Sequence, residues 1–124
     1  MDAFQHVNNI VYFRYFESAR IVYFEKIDVL EQMANTGIGP ILASTQCKFK
    51  IPLTYPDTIS IGAKVSKIEE YSFIMEYAVI SHKHNKIAAE GEAVIVAYDY
   101  KEKKKTTVPN VLKEKILSLE KSHL

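Results

Sequence analysis

The chain has 124 residues, 48% of them hydrophobic and 25% charged, with a formal net charge of +1. That length suits one domain spanning residues 1–124 with a single core, and the near-neutral balance argues against nucleic acid as the main partner. No apolar run is long and charge-free enough to span a bilayer, no basic n-region opens the chain, and one cysteine, Cys47, leaves no internal disulfide to form; a cytoplasmic protein is expected.

The first stretch, Asp2-Ala3-Phe4-Gln5-His6-Val7-Asn8-Asn9, packs a carboxylate, an imidazole and two carboxamides before a run rich in apolar and aromatic residues. The spacing predicts a helix from about Asn9 to Ile27, with Tyr12, Tyr15, Phe16, Ala19, Val22 and Tyr23 on one apolar face. Ile10, Val11, Phe13, Ile21 and Phe24 fill most of the remainder, so the helix is expected to be buried nearly all round, by sheet or by a partner subunit. Asp28-Val29-Leu30-Glu31 reads as a capping box opening a short second helix that ends before Gly37. Gly37-Ile38-Gly39-Pro40 reads as a turn.

The period then changes to two. Ile41, Ala43, Thr45, Cys47, Phe49 and Ile51 share one face of a long strand, with Ser44, Gln46, Lys48 and Lys50 on the other. Pro52–Asp57 stops it. A strand from Thr58 to Ile68, a turn at Glu69-Glu70-Tyr71, a strand from Ser72 to Ser81 and a hairpin turn at His84-Asn85 follow. In the last strand, Lys86 to Tyr98, the small residues Ala88, Ala89, Gly91 and Ala93 leave room for a helix to approach. A lysine-rich turn leads to a closing helix over Asn110–Lys121. One helix followed by four antiparallel strands and a peripheral helix is an α+β arrangement.

A helix beginning at Asn9 directs unpaired backbone N–H groups and the positive end of its dipole toward whatever lies beside Asp2. Two meanings stand open from spacing alone. Asp2 caps or favours the dipole, or the N–H groups polarise a carbonyl while the carboxylate attacks it or activates water. The side chains of Asn8 and Asn9 suit capping, and His6 suits either a structural hydrogen bond or a titrating role. His82, His84 and His123 have no ligand spacing, so no metal is expected. Neither a Gly-x-Ser-x-Gly elbow nor a phosphate-cradling glycine loop occurs.

Asp-Ala-Phe-x-His-Val-Asn-Asn followed by Tyr-Phe-x-Tyr-Phe-Glu-x-Ala-Arg resembles the motif of hot-dog-fold acyl-CoA thioesterases of the 4-hydroxybenzoyl-CoA thioesterase type. Phe49-Lys50-Ile51-Pro52-Leu53 with Asp57 beyond it, and Val108-Pro109 before the last helix, extend the likeness over essentially the whole chain. The resemblance implies an antiparallel sheet wrapped around one long central helix, and acyl-CoA as substrate. No cofactor is implied beyond the coenzyme A of the substrate. It implies Asp2 as nucleophile or general base, the Asn9 backbone N–H as oxyanion donor, and His6 as a companion that orients Asp2 or water. A side-chain change at Asn9 would test little, because the role belongs to the backbone. Val7, Asn8, Tyr12, Lys50, Tyr71 and Ser72 are the expected substrate contacts, and lysines including Lys48, Lys64, Lys67, Lys101 and Lys103–Lys105 are candidates for the phosphates.

Sites in this family lie between subunits, so a homodimer or homotetramer is implied. The family carries a strand before the Asp motif, and this sequence opens inside it; a missing first strand before residue 1, from a truncated or misassigned start, is expected. Two other activities fit the same resemblance. One is a hot-dog enoyl-thioester hydratase or dehydratase, and the other a non-catalytic acyl-CoA binder.

Overall fold

Tyr12, Phe16, Tyr23 and Ile27 recur at helical spacing and are all buried, which fixes the face that helix α1 (Asn9–Lys26) turns toward the sheet. The computed structural model describes residues 8–122. After α1 come α2 (Val29–Thr36), β1 (Ile38–Phe49), β2 (Ile59–Ile68), β3 (Ser72–Ser81), β4 (Lys86–Asp99), a two-residue β5 (Lys104–Lys105) and α3 (Asn110–Lys121). The antiparallel sheet runs in the order β1-β4-β3-β2, with β5 adding to the end of β4.

The alternation expected of β3 is borne out, since Phe73, Met75, Tyr77, Val79 and Ser81 are all buried on the face that meets α1. On β4 the expectation of a close helix approach also holds. A Cβ at Gly91 would overlap the Phe16 ring, which lies stacked on Tyr77 with centroids 4.9 Å apart. Arg20 crosses the same contact and donates from Nη1 to the Tyr77 hydroxyl at 3.0 Å. Among the described residues no helix is long and apolar enough to cross a membrane.

Three expectations need correction. Asp28 is not a cap. It sits in the left-handed region at φ 57°, makes no side-chain bond to the α2 backbone, and pairs instead with Lys115 of α3 at 2.9 Å. The turn expected at Gly37–Pro40 ends at its first residue. Gly37 at φ 76° terminates α2, and β1 has already begun at Ile38, with Pro40 tolerated because β1 is an edge strand.

On β1 the pairing slips between Leu42 and Ser44, so Leu42 stands opposite Ile95 while Ile41 is opposite Val96. An irregularity of this kind carries one extra residue and inverts the faces beyond it, which removes Ile41 from the face of Thr45, Cys47 and Phe49. Within one chain the sheet covers only one side of α1, as an expectation of burial by sheet or by a partner subunit allows. Ile10 is 64% exposed and Val22 50%, and Phe13 and Ile21 are exposed beside them. The inward-facing Leu42 and Phe49 of β1 are exposed as well.

The far end of α1 is tied to α3 by one carboxylate. Glu120 accepts from the Tyr23 hydroxyl at 2.6 Å and from the Val65 N–H at 3.2 Å, where β2 slips against β3. Burial and this carboxylate both hold the Tyr23 phenol protonated. Glu120→Ala would leave two donors without their acceptor, at a cost of about 1–3 kcal/mol. The urea unfolding midpoint should fall accordingly, and removing the phenol too, in Tyr23→Phe/Glu120→Ala, should add less than the sum of the two single changes.

Candidate active site

The beginning of α1 is shaped by Asn8. Its backbone is extended (φ −63°, ψ 138°), and its side-chain oxygen accepts from the Ile10 N–H at 3.0 Å, while its carbonyl accepts from the Val11 N–H at 2.9 Å. This confirms the capping role expected of Asn8. Asn9 is then the first helical residue, and among the described residues nothing accepts a hydrogen bond from its N–H. Such a group at a helix start is a preorganised donor for developing negative charge.

A cavity of about 230 Å³ opens beside this turn, lined by Val11 and Tyr15 of α1 and by Leu53, Thr54, Asp57 and Ile59 opposite. Its far wall is the segment between β1 and β2, which carries Pro52 and Pro56 and pairs only through a single bridge at Thr54. Tyr12 anchors that wall: its ring meets Phe49 edge-on at 5.0 Å, and its hydroxyl oxygen lies 3.4 Å from the Leu53 N–H that it accepts from. Burial raises the Tyr12 phenol above its ordinary range, with the Leu53 N–H pulling the other way. Tyr12 therefore stays a neutral phenol at neutral pH, with its ring packed behind the cavity wall.

Asp57 holds the other side. Ser81 is fully buried and donates from Oγ to Asp57 Oδ2 at 2.5 Å, and the Lys83 N–H donates to Oδ1 at 2.9 Å. The Ser81 bond, together with the Lys83 and Thr58 N–H groups, holds the carboxyl below the usual range. A depressed folded pKa means stabilisation that is present above the unfolded value of about 4 and is lost as pH falls through the folded one. Asp57→Asn should therefore lower the thermal midpoint at pH 7, and the gap to wild type should close on acidification below about pH 4.

The structure places Asn8 and Asn9 at the turn that opens α1 and Tyr12 against Leu53 of the cavity wall, and does not bring the other expected contacts there. Asp2, His6 and Val7 lie outside the described residues. Lys50 pairs with Glu90 at 3.2 Å. Tyr71 and Ser72 lie at the opposite end of the sheet, the whole length of β2 away, roughly 30 Å at 3.3 Å per residue. There Lys105 stands over the Tyr71 ring at 5.4 Å. Lys101 and Lys103–Lys105 follow the end of β4 at that same far end. A larger depression, about 620 Å³, is lined by Gln46, Lys48, Lys64, Glu76, Glu90 and Glu92 among others, on the face of the sheet turned away from α1. Asp57, which lines the cavity, and Ser81, which donates to it, carried a legible signal only in part: Pro56-Asp57 precedes a strand, but a serine at a strand's end says nothing of burial.

A family model described as the thioesterase-like superfamily matches residues 1–116. The chain belongs to that superfamily. It is an enzyme of the thioesterase class, with the hot-dog fold that the resemblance implied. This superfamily member is 23% identical over 116 residues to the long-chain acyl-CoA thioesterase FadM of Escherichia coli, covering 94% of this chain and 88% of that one. It superposes on a thioesterase from Thermus thermophilus, solved with coenzyme A and zinc, with a TM-score of 0.83 and 27% identity, over 97% of this chain and 85% of that one. A DHNA-CoA thioesterase from Staphylococcus aureus shares the fold at a TM-score of 0.80 and 18% identity, over 100% of this chain and 87% of that one.

Proposed function

We propose that this protein hydrolyses acyl-CoA thioesters to a free acid and coenzyme A, in the cytoplasm, with a site of the 4-hydroxybenzoyl-CoA thioesterase type. The thioester carbonyl lies at the start of α1, where the Asn9 N–H receives the developing oxyanion. Asp2 supplies the carboxylate, either attacking the carbonyl carbon or taking a proton from the attacking water, with His6 orienting it. A C–O bond forms, the C–S bond breaks, and the departing thiolate takes up a proton as coenzyme A; where Asp2 is the attacking group, water then opens the mixed anhydride to release the acid and restore the carboxylate. The observation that carries this reading is the donor at the head of a capped helix, beside a cavity, in a chain whose family is that of thioesterases.

A second copy completes the site in this reading. β1 is a twelve-residue edge strand, and Ile10, Phe13, Ile21 and Val22 of α1 stay exposed beside the uncovered Leu42 and Phe49. An edge strand of this length, unpaired on one side among the described residues, and exposed apolar side chains favour association with like molecules, as a homodimer or homotetramer.

Thiol release from short, long and aromatic acyl-CoAs, with identification of the acid product, tests the reaction. Stoichiometric free thiol and acid is the expected result. A 3-hydroxyacyl thioester formed from a 2-enoyl-CoA without thiol release would make the protein a hydratase, and tight binding with no product would make it a binder.

A further inference from the structure

The walls of the cavity beside α1 are held in place from several directions, so its size decides what it can take. On the helix side Val11 and Tyr15 lie four residues apart on one face of α1. The Tyr15 ring is braced edge-on by the buried Tyr12 ring, with centroids 6.1 Å apart. On the facing side each lining position is tied to another element. Leu53 is 1% exposed, and its N–H donates to the Tyr12 hydroxyl. Thr54 accepts from Lys83 Nζ at 3.2 Å, and Asp57 accepts from Ser81 Oγ and the Lys83 N–H. Ile59 opens β2 opposite Ser81 of β3. A wall fastened in this way to α1 and to the β3–β4 hairpin does not swing back to admit a larger guest.

The volume is about 230 Å³. A protein cavity of roughly 150 Å³ takes one benzene, or about 25 Å³ for each carbon. On that scale the space beside α1 is filled by roughly eight or nine carbons. Its character narrows the guest further. Val11, Leu53, Ile59 and the Tyr15 ring present hydrocarbon, and among the described lining residues Asp57 alone carries a charge. Both of its oxygens are taken up by hairpin donors, which keep it ionised at neutral pH. A carboxylate at the end of an acyl chain would meet that charge in a poorly solvated place.

We infer that the cavity is a length gauge for an uncharged aliphatic acyl chain of about eight carbons or fewer, with Val11 on the helix and Ile59 on the facing strand setting the limit. This deepens the acyl-CoA reading and rests on it.

The experiment measures kcat/KM for straight-chain acyl-CoAs from acetyl to palmitoyl, each below its micellar concentration. The value should climb about fourfold per methylene, the worth of one buried CH₂, level off near octanoyl, and stand tenfold or more lower at palmitoyl. Glutaryl-CoA should be about tenfold or more poorer than pentanoyl-CoA. Ile59→Ala should move the break about three carbons longer, the number that the substitution removes, and Val11→Phe should move it shorter. Opposite shifts from facing walls are a signature that a loss of folding does not produce. A rate still climbing to palmitoyl, or a break that neither variant moves, would overturn the inference and leave the hydrolase reading standing. Absence of thiol release from every ester would defeat the hydrolase reading instead, and calorimetric titration with the same acyl-CoAs then reads the gauge. Affinity that levels off near octanoyl in wild type and later in Ile59→Ala supports it. Affinity that is absent, independent of length, or climbs to palmitoyl overturns it.

Discussion

In thiol-release assays, Asp2→Asn is expected to lower kcat by roughly 10²–10⁴-fold, the range for losing a positioned acid–base group. The substitution keeps the size of the side chain and a hydrogen-bonding oxygen, so the helix start and the cavity should survive, and thermal melting and oligomer size should match wild type. What disappears is the charge that attacks the carbonyl or takes a proton from water. The loss should fall on kcat and kcat/KM alike, because the group acts in the transition state and not in binding. An unchanged rate would leave a thioesterase whose carboxylate lies elsewhere, with Asp57 then the first alternative to try, since it lines the cavity.

The largest effect on stability is expected at Gly91. A single added methyl there meets the Phe16 ring, which cannot retreat because it is 1% exposed and stacked on Tyr77, itself held by Arg20. Overpacking of a rigid aromatic contact costs about 3 kcal/mol. In a domain of this size that lowers the thermal midpoint by roughly 10 °C. Adding Phe16→Leu to Gly91→Ala should recover part of the loss, although Phe16→Leu alone destabilises; that sign of coupling identifies the contact. A Gly91→Ala protein melting at the wild-type temperature would mean that α1 does not sit on β4 as described.

Much of this architecture was readable because each element obeys one dominant rule. Phe73, Met75, Tyr77 and Val79 alternate without interruption, and the small residues of β4 announce a close helix. The misreadings arose where a distant partner or a local irregularity took over. Asp28 has the sequence of a cap, but its charge is taken by Lys115, 87 residues away, and its backbone is left-handed. Nothing local marks the slip at Ala43 that turns Ile41 to the other face.

The candidate site was legible to the same extent. Asn8 and Asn9 at a helix start follow from short-range chemistry, and Tyr12 from helical spacing. Tyr71 and Ser72 were assigned by resemblance, and the order of the sheet puts them at its other end in the same chain. Lys83 and Ser81 depend on a hairpin folding against a segment some 26 residues earlier, a pairing that periodicity does not encode.

The most direct test of the site is Asn9→Pro. Proline has no N–H, and it is well tolerated at the first position of a helix, where the donor has no intrahelical partner. Asn8, at φ −63° and ψ 138°, already has the extended conformation that a residue before proline requires. The substitution therefore deletes one backbone donor while keeping α1. Hydrolysis of an acyl-CoA should fall by about 10²–10³-fold, as for the loss of one oxyanion donor, with an unchanged melting temperature, while Asn9→Ala stays close to wild type. Full activity in Asn9→Pro would contradict the account, because the oxyanion would then be stabilised somewhere other than the head of α1.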